Sequence, residues 1–398
     1  MPAQPPAISM PKRVTILGST GSIGRSALAV IEALPHELAV AGLSACRQWD
    51  SLAQQAEQFA APVVAIADDA AAGPLRDRLK SRGLTTQVLG GSSALVSLVR
   101  DYPCDFVLAG VVGAAGLPAV LAAVERGLPI GLANKETLVV AGSIVVPLAK
   151  SKGAMLLPVD SEHSAVFQAM QAGRPEEVER IYLTASGGPF RTWPSERIDE
   201  ATLEDALNHP TWSMGPKITI DSATMINKAL EIIEARWLFD VDPDRIEVVV
   251  HPESIVHSMV EFRDGAVVAQ LGMPDMRAPI QYAMTWPRRL PGRAERLDFR
   301  KLGRMHFEAP DPVRFPALRL GHEVARRGGT AGAALNAANE AAVEAFRRHE
   351  IRFPQIVPIV EDVLGRHRFI AEPTLEELLA VDAWARREVN ECCQTRTV

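Results

Sequence analysis

At 398 residues, with 23% of them charged and a net charge of −6 at pH 7, the chain is too long for one ordinary core. It reads as about two or three domains that bury enough apolar surface to need no staples. The charges are interspersed with no long basic block, which argues against nucleic acid as the main partner. Four cysteines, Cys46, Cys104, Cys392 and Cys393, form neither a CxxC pair nor a disulfide framework, as fits a reducing cytosol.

In chain order, residues 1–12 are rich in Pro and Ala without an apolar core, so they read as a disordered tail rather than a targeting segment. From Arg13 to Val159, apolar β-rich runs (Val14 to Leu17, Leu38 to Leu43, Val63 to Ile66, Phe106 to Ala109, Ile130 to Leu132, Met155 to Val159) alternate with helix-length stretches. That alternation predicts a doubly wound, mostly parallel sheet, with ligands at the carboxyl ends of its strands. The uncharged run Phe106 to Val124 is long enough to suggest a membrane helix, but Gly110, Gly113, Gly116 and Pro118 break it into strand, turn and helix. The first strand leads into Gly18-Ser19-Thr20-Gly21-Ser22-Ile23-Gly24 and an amphipathic run to Leu34. Strand, glycine loop and helix in that order predict a dinucleotide pyrophosphate on backbone N–H groups and the helix dipole, although the spacing departs from GxGxxG. After the second strand comes Ser44-Ala45-Cys46-Arg47-Gln48, with no acid to repel a ribose 2′-phosphate and with Arg47 to grip one, so NADPH is expected over NADH.

The run Met155 to Val159 leads into Asp160-Ser161-Glu162, where period-two alternation puts both acids on one side. In Asn227-Lys228-Ala229-Leu230-Glu231, amide, amine and carboxylate share one helix face. If the two segments meet, they form an oxygen-lined site for Mg2+ or Mn2+ beside an anion-binding lysine. The competing reading makes Asp160 and Glu162 a helix cap with a surface acid, and Lys228 and Glu231 a solvated salt bridge. Ile255 to Phe262, Arg263-Asp264-Gly265 and Ala266 to Leu271 predict a β-hairpin. Prolines from Pro287 to Pro316 mark a linker, and Ala331 to Arg348 and Glu376 to Glu391 are the strongest helical runs beyond it. Cys392 and Cys393 then fall in a frayed tail.

The glycine loop, Leu132-Ala133-Asn134-Lys135-Glu136, Leu157 to His163, Ser186-Gly187-Gly188-Pro189-Phe190, His209 to Gly215, Asp221 to Lys228 and Leu335-Asn336-Ala337-Ala338-Asn339-Glu340 together resemble one family, 1-deoxy-D-xylulose 5-phosphate reductoisomerase, over nearly the whole chain. The resemblance implies an α/β enzyme with a Rossmann-like NADPH-binding domain (13–159), a catalytic and dimerisation domain with a partly antiparallel sheet (160–290), a linker (291–315) and a C-terminal α-helical domain (316–398). It implies a cytoplasmic homodimer that uses NADPH and Mg2+ or Mn2+ to rearrange and reduce a phosphorylated sugar. By this likeness Asp160, Glu162 and Glu231 hold the metal, and Glu162 and Glu231 also lie close to substrate. Ser161, Lys135 and His209 face the sugar, and Ser186, Ser222, Asn227 and Lys228 receive its phosphate. Thr20, Gly21, Ser22, Ile23, Asn134, Glu136 and Gly215 fall at cofactor positions, joined by Arg47 and Gln48. Cys46 and Gln48 stand where family members commonly carry glycine and asparagine.

Residues 206–216, Pro-bounded with one large aromatic, read as a lid that excludes water. Lys135, Glu162, His209 or a metal-bound water are the candidates for moving the substrate hydroxyl proton. Two rivals remain at this level. An NADPH-dependent dehydrogenase without rearrangement would not need three metal-binding acids, and a non-enzymatic NADPH sensor could lose Asp160, Glu162, Glu231 or His209.

Overall fold

The computed structural model describes residues 10–212 and 214–396, without the side chains of 395 and 396. The expected tail therefore lies outside the described residues through residue 9, and so does Ser213 of the expected lid. The chain divides into two units, residues 1–134, 148–159 and 276–294 in the first and 135–147, 160–275 and 295–398 in the second.

The first unit alternates strands and helices: β1 (Lys12–Leu17), α1 (Ser22–Ala33), β2 (Leu38–Ala45), α2 (Trp49–Gln58), β3 (Val63–Ile66), α3 (Asp69–Ser81), β4 (Gln87–Gly90), α4 (Ala94–Asp101), β5 (Phe106–Ala109), α5 (Leu117–Glu125) and β6 (Ile130–Leu132). Helix α6 (Glu136–Lys152), irregular at Ala141, belongs to the second unit up to Pro147, and β7 (Leu156–Pro158) completes the sheet. The seven strands are all parallel in the order β4-β3-β2-β1-β5-β6-β7. Strands β3, β5 and β6 are buried at every residue, as continuous apolar runs covered on both faces should be. The order reverses between β1 and β5, so the glycine loop after β1 sits at the switch point where such sheets bind ligands. No described helix is long and apolar enough to cross a membrane.

The second unit continues with α7 (Ser161–Ala169), β8 (Val178–Ala185), α8 (Ser195–Ile198), α9 (Leu203–Leu207), α10 (Pro216–Ala223), α11 (Ile226–Phe239), β9 (Ile246–Val250), β10 (Val256–Phe262) and β11 (Val267–Leu271). Its sheet runs β11-β10-β8-β9, with the expected hairpin antiparallel and β8 parallel to β9. Helix α12 (Arg277–Thr285) belongs instead to the first unit, packed on α1. The contact division places residues 276–294 in the first unit and returns to the second at 295. Helices α13 (Phe299–Leu302), α14 (Ala317–Arg327), α15 (Ala331–Arg347), α16 (Ile356–Arg366) and α17 (Leu375–Arg396) follow. Of these, α14 to α17 share one core with α11 and the sheet, through residues such as Ile233, Leu320, Leu335 and Val360.

Two expectations fail here. Strand β7 stops at Pro158, so Asp160 and Glu162 are not strand residues: Asp160 is the N-cap of α7 and Glu162 lies in its first turn. Cys392 and Cys393 are not a frayed end but are buried on α17, where Val389, Cys392 and Cys393 present one helix face to the core.

Candidate active site

The dinucleotide loop is held by its neighbours. Gly18 has φ +82, and a Cβ there would lie 2.8 Å from the carbonyl of Gly110. Its N–H donates to Ser44 Oγ at 3.0 Å, while Ser19 Oγ donates to Gln55 Oε1 at 2.7 Å. Thr20 is buried, and Gly21 is the N-cap of α1 with no side-chain cap and no acid in the first turn. The first-turn N–H groups, including those of Ser22 and Ile23, are therefore open to an anion. Asn134 is buried, and its amide donates to the carbonyls of Gly113 (2.7 Å) and Val111, fixing the loop after β5.

Arg47 is exposed at the end of β2, and Gln48 is the exposed N-cap of α2. The expectation that no carboxylate stands beside Arg47 is overturned: Asp68, at the end of the neighbouring β3, pairs with it at 3.5 Å. Adjacent parallel strands bring their carboxyl ends together across a gap in sequence that local reading does not span.

Seven of the expected residues converge in the second unit. Lys135 Nζ lies 2.5 Å from Asp160 Oδ2 and 3.2 Å from Glu231 Oε1, and donates to Asn227 Oδ1 at 2.9 Å. Lys228 Nζ donates to Glu162 Oε1 at 2.8 Å and to Glu231 Oε2 at 2.5 Å. Asn227 donates to Glu231 Oε1 at 2.6 Å. The bland readings fail on this geometry. Asp160 makes no side-chain cap bond on its own helix, and Lys228 and Glu231 are buried rather than solvated. Ser161, also buried, donates to Glu162 Oε2 at 2.5 Å.

Two residues not singled out from the sequence complete the cluster. His163, fully buried, donates from Nε2 to the Glu231 carbonyl at 3.0 Å, and its Nδ1 lies 3.4 Å from the buried Glu234 carboxylate. Donor atoms of Asp160, His163 and Glu231 lie within 4.8 Å of one another, while Glu162, outside that set, pairs with Lys228. The only sequence signal was spacing, since 160 with 163 and 231 with 234 are both i,i+3 pairs.

Electrostatics show what the cluster lacks. Burial pushes Glu162 up, but Lys228 and Lys135 outweigh it and hold the carboxyl at about 2. Burial, then the charge of Glu162, pushes Glu231 up to about 7 against the pull of both lysines. Burial likewise raises Glu234 to about 7, against His163. Burial lowers Lys135, yet Asp160 and Glu231 more than reverse it, so it stays protonated. Four acids face two ammonium groups, and the oxygen-rich remainder of negative charge suits a divalent cation of the Mg2+ or Mn2+ class.

Donors suited to an anion stand in the same unit. Gly187 and Gly188 follow β8 with φ +83 and +66, and a Cβ on Gly188 would lie 2.6 Å from the carbonyl of Ser222, so only glycine lets this loop meet α10. Ser186 Oγ accepts from Gly188 N–H at 3.2 Å and lies 3.0 Å from His209 Nε2. His209 Nδ1 accepts from the backbone N–H of Thr211 and Trp212 at 3.2 and 2.9 Å. Its proton therefore sits on Nε2 and is given to Ser186, which leaves the serine hydroxyl free to donate. Burial keeps the His209 pKa below the usual value. Gly215 is the N-cap of α10, and Glu136 directs its carboxylate to Lys217 at 3.2 Å.

A parallel sheet with a dinucleotide loop at its switch point, in one chain with a buried carboxylate–lysine cluster, defines a dinucleotide-dependent, cation-assisted enzyme acting on an anion. Family models described as 1-deoxy-D-xylulose 5-phosphate reductoisomerase and its C-terminal domains match residues 14–142, 156–239 and 271–388. The chain belongs to the 1-deoxy-D-xylulose 5-phosphate reductoisomerase family. It is 50% identical over 380 residues to the enzyme of that name from Chloroherpeton thalassium, covering 96% of this chain and 98% of that one. The Geotalea uraniireducens enzyme is 48% identical, with the same coverage of both chains. Among solved structures, the Zymomonas mobilis reductoisomerase with NADPH is 44% identical, with a TM-score of 0.90 over 97% of this chain and 99% of that one. A DOX-P reductoisomerase with NADPH, fosmidomycin and magnesium is 40% identical, with a TM-score of 0.91 over 96% and 98%.

Proposed function

We propose that this chain converts 1-deoxy-D-xylulose 5-phosphate to 2-C-methyl-D-erythritol 4-phosphate with NADPH and a divalent metal, in the non-mevalonate route to isoprenoid precursors. The observation that carries the reading is the largely buried cluster of Asp160, Glu162 and Glu231 interleaved with Lys135 and Lys228. Asp160, Glu162 and Glu231 would hold the metal. When bound, the cation supplies Lewis acidity at the sugar's carbonyl and neighbouring hydroxyl, and NADPH supplies the hydride.

The chain's own residues do the rest. Lys135, kept charged, donates to oxygen where negative charge develops. Glu162, kept ionised, accepts from a substrate hydroxyl, with Ser161 beside it. Ser186, Ser222, Asn227 and Lys228 hold the phosphate, and the two serines and the amide add direction to the charge of the lysine. His209 faces the sugar and sets the rotor of Ser186. Residues 206–216 act as the lid. In the first unit, Thr20, Gly21, Ser22, Ile23 and Asn134 would frame the cofactor, with Arg47 and Gln48 at its adenosine end.

Purified protein given the sugar phosphate, NADPH and Mg2+ or Mn2+ should oxidise NADPH and yield the branched product, and a chelator should stop it. Tight NADPH binding with no turnover would sink the reading. Arg47→Glu should raise KM for NADPH by about tenfold or more while leaving NADH use little changed, because two acids would then face the 2′-phosphate. An unchanged NADPH/NADH ratio would remove Arg47 from the site.

The chain also reads as a cytoplasmic homodimer. Its four cysteines are all free, in keeping with a reducing compartment. The second sheet leaves Tyr182, Val248 and Met259 around a groove of about 530 Å³ beside the exposed Phe307, and a second copy would cover that apolar face. A monomeric mass in solution would overturn the dimer.

A further inference from the structure

The motif Leu335 to Glu340 lies far along the chain from every site residue, yet it ends a largely buried polar chain that runs to Glu136 and to the chain neighbours of Ser222 and Lys135. Asn339, fully buried on α15, donates from Nδ2 to Asp221 Oδ1 at 2.9 Å. Asp221, on α10 and also buried, pairs through Oδ2 with Lys217 at 2.8 Å. Lys217 reaches Glu136 at 3.2 Å, and Glu136 is the first residue of α6, next to Lys135. One position further along α15, Glu340 accepts from Asn336 at 3.2 Å and pairs with Arg386 of α17 at 2.6 Å.

Packing alone does not call for such a chain. Buried charges and amides are costly unless satisfied, and apolar residues of the same volume often serve stability as well or better. What the polar chain adds is direction. One hydrogen bond and one ion pair between helices, linked by the Lys217–Asp221 pair within α10, fix three helices at specified atoms, whereas apolar contact lets them slide. Two of those helices, α10 and α6, carry or adjoin expected site residues. Helix α10 carries Ser222 immediately after Asp221 and begins at Pro216, where the lid ends. Helix α6 begins immediately after Lys135. Lys217 stays charged in this position because Asp221 and Glu136 more than offset its burial.

We propose that Asn339 and Lys217 are positioning residues of the reaction: Asn339 fixes Asp221, Asp221 and Glu136 fix Lys217, and the set holds Ser222 and the base of the lid in register with Lys135. Neither residue touches substrate in this account. It rests on the reading of Ser222 as a phosphate ligand and Lys135 as a group facing the sugar.

The test compares Asn339→Leu, Lys217→Met, their double variant and the exchange Asp221→Asn with Asn339→Asp, each assayed as full-length protein whose folded fraction is checked by thermal melting. Each single variant should raise KM for the sugar phosphate about tenfold and lower kcat, since small misplacements of binding groups are costly. The double variant should be no worse than the worse single, because both break one chain. The exchange restores a donor and acceptor pair between 221 and 339 and should regain part of the lost affinity. Wild-type KM and kcat in folded Asn339→Leu overturn the proposal, and so do additive effects in the double. If Asn339→Leu does not fold, Lys217→Arg against Lys217→Met decides: recovery of sugar affinity by arginine supports it, and equal, wild-type behaviour of both overturns it. Wild-type turnover separates these results from failure of the underlying reading, which would abolish activity on this sugar before any substitution.

Discussion

Glu231→Gln is expected to lower divalent-metal affinity by about a hundredfold and kcat/KM by about a thousandfold, roughly 4 kcal/mol of transition-state stabilisation. Glu231 is fully buried and accepts from Lys135, Lys228 and Asn227 at once. An amide keeps the shape but offers one acceptor where the carboxylate offers two, and turns an NH2 toward an ammonium group or toward the metal. Removing one partner of a buried charge network costs more than the lost bond, because the remaining charges stay buried without compensation. Here the uncompensated charges are positive, and they occupy the space a cation would share. The effect should therefore appear in metal binding before any chemistry. Calorimetric titration of Mn2+ into the variant checks it, and an unchanged affinity with reduced kcat would move Glu231 from the metal to the substrate.

The same residues show what local sequence can and cannot reveal. Val63 to Ile66, Phe106 to Ala109 and Ile130 to Leu132 were legible to the residue because strands covered on both faces are unbroken apolar runs. Strand β4, Gln87–Gly90, was missed: it lies at the sheet edge, partly exposed, and has only Val88 and Leu89 to announce it. The acids at 160 and 162 were found, but on the wrong element, since Pro158 ends β7 before period-two alternation reaches them. Helix α11 was read correctly, with Asn227, Lys228 and Glu231 on one face, because that argument needs only the 3.6-residue period. His163 and Glu234 carry no chemical signature of their own, and burial beside Asp160 and Glu231 is what gives them a place in the cluster. Asp68 beside Arg47 and Asp221 beside Asn339 are tertiary pairs, which no single-segment pattern can supply.

Metal affinity should rise with pH below about 7 and level off above it. Glu162 is held at about 2 and stays ionised throughout, whereas burial and the charge of Glu162 place Glu231 at about 7, with Glu234 close by at about 7. Without a cation the cluster retains a proton at mildly acid pH, and a divalent ion must displace it. Each proton displaced changes apparent affinity about tenfold per pH unit. In the metal-free protein the contribution of these carboxyls to stability should show the opposite trend, read as the difference from Glu231→Gln so that histidines held low by burial, such as His209, cancel. A carboxyl whose folded pKa lies above its unfolded value binds more protons in the native state, so its contribution is fully present below the unfolded value near 4.5 and is lost as pH rises through about 7. Added Mg2+ or Mn2+ should offset that loss on the alkaline side, because it takes over the compensation the proton gave. Melting curves from pH 5 to pH 8, with chelator and with metal, read both trends at once. Calorimetry in two buffers of different ionisation enthalpy counts the protons released. A metal-free melting temperature that does not fall from pH 6 to pH 8 relative to that of Glu231→Gln, or metal binding that releases no proton at pH 6, would mean that the two lysines alone neutralise the cluster and that Glu231 is ionised before the metal arrives.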